Sequence, residues 1–420
     1  MLTVGSGCVA IGPRRDESET GGLGRKHLKL NEIAPKRGAV RVEQAMADIT
    51  EVLSEARAAV LRELDALVPA ATDDQRRLKA LILDYPLRAA KGLRPALCLQ
   101  TCRALGGRED MVLPTAAVLE LYHNAFLIHD DVEDGSLLRR GSPALHREHG
   151  IPVAINVGDA MLALALEPLL ANTARVGLGA ALQILETVAH MVRESVEGQA
   201  LELEWIRRQV WDLSEADYTR MVVKKTAWYS FIAPMRIGGL AAGARGATLA
   251  ALEAVAHDLG IAFQVQDDLL NLEEGRDAYG KELAGDLWEG KRTVILLHTL
   301  SQLNPADRAR AQALLGQPRP EPEDDARAAL LASLEAEGHL TAAGRARLEA
   351  PHAAAPKAAS DVAWLRDQVE ACGSMAHARA FAARHAEAAG AKLRACDFLP
   401  PSPARDFLEA LVAYVLERTL

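Results

Sequence analysis

IHDDVED at Ile128–Asp134 and VQDDLLN at Val265–Asn271 are two acidic clusters, each at the end of an apolar run with helical spacing. Glycine follows soon after each, at Gly135 and Gly275. Carboxylates at the C-terminal end of a helix oppose the helix dipole. Asp130 and Asp134, four residues apart, also repel each other on one face. A chain that accepts this cost twice needs cations between the clusters. Oxygen-only ligands suit a hard ion such as Mg2+, which completes its shell with water and substrate phosphates. The clusters therefore predict a Mg2+–phosphate site shared by two helices.

Working outward, the rest of the chain keeps the helical period. Val42–Leu64, VEQAMADITEVLSEARAAVLREL, has apolar residues at three- and four-residue spacing. Similar runs occupy 93–105, 112–134, 156–174, 178–207, 214–229, 247–271 and 293–303, and the period returns over 361–397 and 404–420. No run of alternating β-branched residues competes, so the expected class is all-α. Gly106-Gly107, Pro143 and Gly238-Gly239 are expected to punctuate element ends. Residues 1–40 show no period and are read as a disordered or non-native extension, with Met46 a candidate initiator. The helical domain is placed at 41–420, with an Ala-, Glu-, Arg- and Pro-rich insertion at 317–358.

The bulk numbers are those of a globular protein: 420 residues, 49% hydrophobic and 25% charged. Aromatics are only 4%, which favours helix-on-helix packing. A net charge of −9 gives no general attraction to nucleic acid. The five cysteines lack zinc or redox spacing, and their odd number suits a reducing cytoplasm. Arg14 and Arg15 follow a short apolar run, the reverse of a secretion signal. No uninterrupted run of 18 apolar residues exists, so no membrane span is expected.

Basic residues near the acidic clusters are informative against this acidic background. Arg139 and Arg140 follow the first cluster, and paired guanidiniums suit phosphate oxygens. AAKGLRP carries Lys91 and Arg94 in a Gly-containing turn before a helix, a geometry that binds anions. Lys224-Lys225-Thr226 lies between the clusters. GKELAGDLWEGKRT adds Lys281, Asp286 and Lys291 after the second, and Gln264 sits one turn before Asp268. Singly, each also fits an ordinary solvated surface.

Together, KGLRP, DDVED with RRG, KT, FQVQDDLLN and GKELAGDLWEGKRT, in this order, strongly resemble the trans-polyprenyl diphosphate synthase family, which includes farnesyl and geranylgeranyl diphosphate synthases. The resemblance covers roughly 45–315 and 361–420. It implies a single large helical bundle of the isoprenoid synthase type with a central apolar cavity, and a homodimer. It implies a Mg2+-dependent condensation of isopentenyl diphosphate with an allylic diphosphate. Asp130, Asp131 and Asp134 match the first aspartate motif, and Asp267 and Asp268 the second; together they would hold three Mg2+. Arg139, Lys225 and Lys281 match residues that grip the allylic diphosphate. Lys91, Arg94, His123 and Arg140 match the isopentenyl diphosphate site, with Lys291 near it. Thr226 and Gln264 match residues near the forming carbocation. The chain departs from the family pattern at Ala89-Ala90, at Gly92, where arginine is usual, and at Asn271, where aspartate is usual.

Product length is expected to be set below the first cluster. Helical spacing places Phe126 and Tyr122 one and two turns, about 5.4 Å each, beneath Asp130. Burying each five-carbon unit is worth about 4 kcal/mol, so affinity favours growth and a steric wall must stop it. Phe126 or Tyr122 is the expected wall, with Ala125 leaving one side open, for a C15–C20 product. A class I terpene cyclase also uses DDxxD, but its Asn/Ser/Glu second motif is absent. A non-catalytic partner subunit would have lost one aspartate pair, and both are present.

Overall fold

The helical period of the sequence becomes helix almost everywhere that the structure, a computed structural model, describes: residues 37–273, 284–320, 322–348 and 356–417. The first helices are α1 (Arg37–Leu67), α2 (Asp73–Leu87), α3 (Leu93–Ala104) and α4 (Glu109–Glu133). A two-residue ribbon follows, β1 (Leu138–Arg139) antiparallel to β2 (Ser142–Pro143), with Arg139 opposite Ser142. Then come α5 (Leu145–His149), α6 (Ile151–Leu164), α7 (Leu166–Arg175), α8 (Leu178–Arg207) and α9 (Glu215–Val222). A π-helical segment, Val223–Ile232, leads into α10 (Ala233–Ala241) and α11 (Gly246–Leu272). The last are α12 (Gly285–Glu289), α13 (Val294–Gln302), α14 (Pro305–Leu315), α15 (Pro322–Ala336), α16 (Ala342–Leu348), α17 (Ala359–Ala371), α18 (Ser374–Arg394) and α19 (Pro403–Glu417).

Local chemistry sets several starts. Thr72 with Gln75 and Ser214 with Asp217 form capping boxes at α2 and α9, and Asn304 caps α14 ahead of Pro305. Chain contacts group Gln44–Leu420 as one unit and Met1–Glu43 as another. Within the larger unit, α3 and α4 are buried along most of their length and form its centre with α10 and α11. A second apolar cluster surrounds Tyr218, Leu269, Leu287 and Val294.

Some expected boundaries differ. The run at 156–174 starts earlier and breaks at Ala165. The run at 214–229 changes from α to π at Val223. Gly238-Gly239 lies inside α10 rather than at its end, because a Cβ at Gly238 would meet the Cys98 carbonyl at 2.3 Å. Among the described residues, three segments are long and apolar enough to cross a membrane despite their charged interruptions: Glu109–Glu133, Ile151–Arg175 and Gly246–Leu272. Their apolar windows are 78%, 39% and 56% buried within the protein, so α6 and α7 are the least covered.

Candidate active site

The two acidic clusters end α4 and α11, and both reach one cavity of about 310 Å³. Asp130, Asp267 and Asp268 line it with Lys91, Arg94, His123, Arg139, Arg140, Lys225, Thr226, Gln264 and Lys291. Asp134 enters through its neighbour Lys291, 3.5 Å away. Lys281 and Gly275 lie outside the described residues.

Each aspartate pair divides its work. The Asp131 carboxylate accepts from the Tyr85 hydroxyl at 2.7 Å and from Arg139 Nε at 3.0 and 3.1 Å. Asp131, one of the expected metal ligands, is fully buried, and its oxygens accept from Tyr85 and Arg139. In the second pair, Asp268 accepts from the Tyr218 hydroxyl at 2.6 Å and from Gln264 Nε2 at 2.9 Å. Asp130 and both members of the second pair, Asp267 and Asp268, line the cavity, whereas Asp131 does not. Tyr85 also holds the ribbon: its hydroxyl accepts from Leu145 N, and its carbonyl accepts from Arg140 Nη1 at 2.7 Å. The aspartates with displaced pKa values report their surroundings. Burial, then the charge of Asp130, pushes Asp134 up to about 8. Burial, then Asp286, does the same to Asp268.

The opposite excess lies where α3, α4 and the ribbon meet. Arg94 donates to Ser230 Oγ at 2.8 Å and stacks 4.6 Å above the Tyr229 ring. Arg140, at φ +53°, is pushed down to about 10 by burial and by Arg139, Arg94 and Arg57, with Glu120 opposing. Burial, then Arg94, Arg140 and Arg139, hold His123 well below its ordinary value, so its ring is neutral. Arg140 Nη2 faces His123 Nε2 at 3.4 Å and can only donate, which assigns the ring proton to Nδ1. That buried Nδ1 has no partner among the described residues. So much positive charge in a buried corner fits an anion with several oxygens.

The π-helical segment supplies the third wall. Lys225 Nζ lies 3.1 Å from Asp130 and also pairs with Glu202. Burial opposes its charge, but Asp130 and Glu202 outweigh that and raise its pKa. Thr226 donates to Gln264 Oε1 at 2.8 Å. Two glycines let neighbours press on this segment: a Cβ at Gly198 would stand 2.3 Å from Lys225 N, and one at Gly260 2.3 Å from Ala227 Cβ. The widened turn thus puts Lys225, Thr226 and Tyr229 on cavity walls. Lys291 closes the mouth beside Glu289 at 3.2 Å; burial works against its charge, and Glu289, Asp134 and Asp286 outweigh it. Asn271, the departure at the end of the second motif, accepts from Asp286 N at 3.0 Å and so anchors α12.

A second, apolar cavity of about 270 Å³ opens below Asp130, lined by Phe126, Leu162, Val192, Val196, Leu203 and Tyr229 among others. Phe126 meets Tyr229 edge-on at 5.6 Å and Tyr122 at 6.1 Å. Ala125 and Tyr122 are buried in the main core and line neither cavity, contrary to the expected open side at Ala125. Tyr229, Leu127, Asp130 and Lys225 line both cavities, so Tyr229 stands at their junction. Sequence reading missed Tyr85, Tyr218, Glu202 and Tyr229. Glu202 had a signal, a carboxylate one turn beyond Gly198 on a buried face; the tyrosines had none.

Comparison with known proteins agrees with this geometry. Residues 76–332 match the family model described as polyprenyl synthetase. The chain is 35% identical to the short chain isoprenyl diphosphate synthase of Methanothermobacter thermautotrophicus, over 54% of this chain and 68% of that one. It is 34% identical to the geranylfarnesyl diphosphate synthase of Natronomonas pharaonis, over 63% of this chain and 78% of the relative. The polyprenyl synthase from Caulobacter crescentus, solved with calcium and isoprenyl diphosphate, superposes at a TM-score of 0.71 and 27% identity, covering 89% of this chain and 97% of that one. Geranylgeranyl pyrophosphate synthetase from Pyrococcus horikoshii gives 0.70 and 28%, over 90% and 100%. The chain therefore belongs to the polyprenyl synthetase family and is a trans-prenyltransferase that makes prenyl diphosphates.

Proposed function

We propose that this enzyme condenses isopentenyl diphosphate with an allylic diphosphate, using Mg2+, to give an all-trans C15–C20 diphosphate. One observation carries the reading: acid walls and a buried cationic corner share a cavity that adjoins an apolar one across Leu127, Asp130, Lys225 and Tyr229. The donor set fits a hard divalent ion, because the carboxylates of Asp130, Asp134 and Asp267 supply only oxygen. Among the described residues, no group of three or more His, Cys, Asp or Glu side chains is gathered closely enough to hold a metal ion, so the Mg2+ reading rests on the oxygen donors and on the diphosphate that would bring the ion in. Bound Mg2+ would neutralise the leaving diphosphate as a Lewis acid.

The chain's own residues do the rest. Lys225 and Arg139 place fixed positive charge where the allylic diphosphate departs. Arg94, Arg140, Lys91 and neutral His123 hold the isopentenyl diphosphate, with His123 Nδ1–H free to donate. Thr226 Oγ1 and Gln264 form one dipole chain beside the reacting carbons, and the apolar wall below excludes water. The departing diphosphate accepts the proton lost after condensation, so no side-chain nucleophile is required. The growing chain descends past Tyr229 toward Phe126.

Leu166, Leu170, Leu178, Leu182 and Val196 on α7 and α8 are large apolar side chains left 53–66% exposed, the kind of surface a partner covers. A second copy is the proposed cover, and sedimentation should return a dimer. Cys98, Cys102, Cys372 and Cys396 are free thiols, which suits a reducing cytoplasm. The deciding assay incubates the protein with Mg2+, isopentenyl diphosphate and each allylic primer, then sizes the products. Elongated diphosphates are expected; hydrocarbon released from geranylgeranyl diphosphate alone would mean a cyclase instead.

A further inference from the structure

Lys357 is one of the largest fully buried side chains in the protein, only 1% exposed. Its ammonium donates to the carbonyls of Leu287 at 2.7 Å, Trp288 at 2.8 Å and Leu315 at 3.5 Å. Leu287 and Trp288 belong to the short helix α12, and Leu315 ends α14. Terminal helix carbonyls lack intrahelical partners and carry the negative end of the dipole. Two such ends therefore converge on one cation. Burial pushes Lys357 down to about 8, which leaves it charged at neutral pH.

The same residue closes the inserted segment. Lys357 N donates to Pro318 O at 2.9 Å, a hydrogen bond that joins the two ends of the segment 318–357. On the other side, α12 runs directly into Lys291, which lines the diphosphate cavity. Gly290, at φ +69°, lies against the carbonyl that Lys357 also holds: a Cβ there would stand 2.4 Å from Leu315 O. Beyond Lys291, Arg292 Nε donates to Val210 O at 3.2 Å, and its guanidinium stacks 3.7 Å from the Trp211 ring. Lys291 thus hangs between two pinned neighbours, and Lys357 supplies the pin on the α12 side.

We propose that Lys357 is a positioning residue for Lys291: by gathering the C-terminal carbonyls of α12 and α14, it fixes where Lys291 enters the diphosphate cavity. The base of the inserted segment then takes part in the reaction without touching substrate. The inference rests on reading Lys291 as a diphosphate-binding cation, so the test separates the two.

The experiment measures kcat, both substrate KM values and Tm for full-length wild type, Lys357→Met, Lys291→Ala and the double variant, with Mg2+. Lys357→Met should raise a diphosphate KM roughly tenfold, the scale of a lost hydrogen-bond set to a charged group. In the Lys291→Ala background the same change should move that KM by less than about twofold, because the positioned group is gone. The Tm loss, by contrast, should be equal in both backgrounds. Unchanged KM values in Lys357→Met, or a KM effect undiminished by Lys291→Ala, overturns the proposal. If Lys357→Met does not fold, Lys357→Arg keeps the charge but offers a planar fork to three carbonyls. Its KM shift should also vanish with Lys291→Ala; an unchanged KM or an undiminished shift overturns the proposal. Should Lys291→Ala alone leave both KM values at wild type, the reading of Lys291 falls and takes the proposal with it.

Discussion

At the scale of single residues, the two aspartate pairs show why a motif does not assign roles. DD reads as two equal ligands. The structure gives Asp131 to Tyr85 and Arg139, and Asp268 to Tyr218 and Gln264. Tyr85→Phe and Tyr218→Phe should each lower kcat/KM roughly tenfold by leaving a buried carboxyl without one of its donors, with Tm falling by a few degrees. Steady-state kinetics beside a melting curve checks this. The raised pKa values of Asp134 and Asp268 have a signed consequence. Both carboxyls are favoured in their protonated form in the folded chain, so the stability they contribute is present below about pH 4 and lost as pH rises through about 8. Protein in chelator should therefore show a Tm that falls across that window, and added Mg2+ should recover most at its upper end. A flat profile would contradict the burial of these groups. What the sequence made legible here was the set of charged residues. Their partners were not legible, because Tyr85 is 46 residues from Asp131 and Tyr218 is 50 from Asp268, separations that only the bundle closes.

At the scale of elements, periodicity was enough to find the helices but not their kind. The run at 214–229 satisfies a helical period, yet Val223–Ile232 is π-helical. The cause is non-local: α8 and α11 approach at Gly198 and Gly260, close enough to touch the main chain of Lys225 and the side chain of Ala227. Gly198→Ala would place a methyl 2.3 Å from Lys225 N. It should cost about 1–3 kcal/mol of stability and displace Lys225, with turnover falling more than tenfold while far-UV circular dichroism stays helical. Circular dichroism and turnover on one preparation decide it. Phe126 belongs to the same argument. On α4 it faces Tyr229 from the π-helical segment, so the floor of the apolar cavity is built by two elements rather than one. Phe126→Ala should lengthen the main product, read by mass spectrometry of the hydrolysed prenols. Tyr122 and Ala125, the other residues expected to set product length, are turned into the core by α4, with Tyr122 packed behind Phe126.

At the scale of the whole molecule, the all-α class followed from the helical period and the lack of any alternating β-branched run. The insertion expected at 317–358 rests on a change of composition alone, while the hydrogen bond from Lys357 to Pro318 and the burial of the Lys357 side chain were not legible. The exposed flank was also hidden, because Leu166, Leu170 and Leu178 read in sequence as ordinary core residues. Val196 has a further implication. It lines the apolar cavity and is 57% exposed on α8. The apolar cavity therefore reaches solvent at Val196, which in the proposed reading makes that side chain part of a thin partition around the prenyl tail, and whatever leans on it from outside braces it. If a second copy does the leaning, mass action governs that bracing, and dilution loosens the partition. Assays run at nanomolar and micromolar enzyme should then return different prenol ladders from the same substrates, with the longer rungs enriched in the dilute tube.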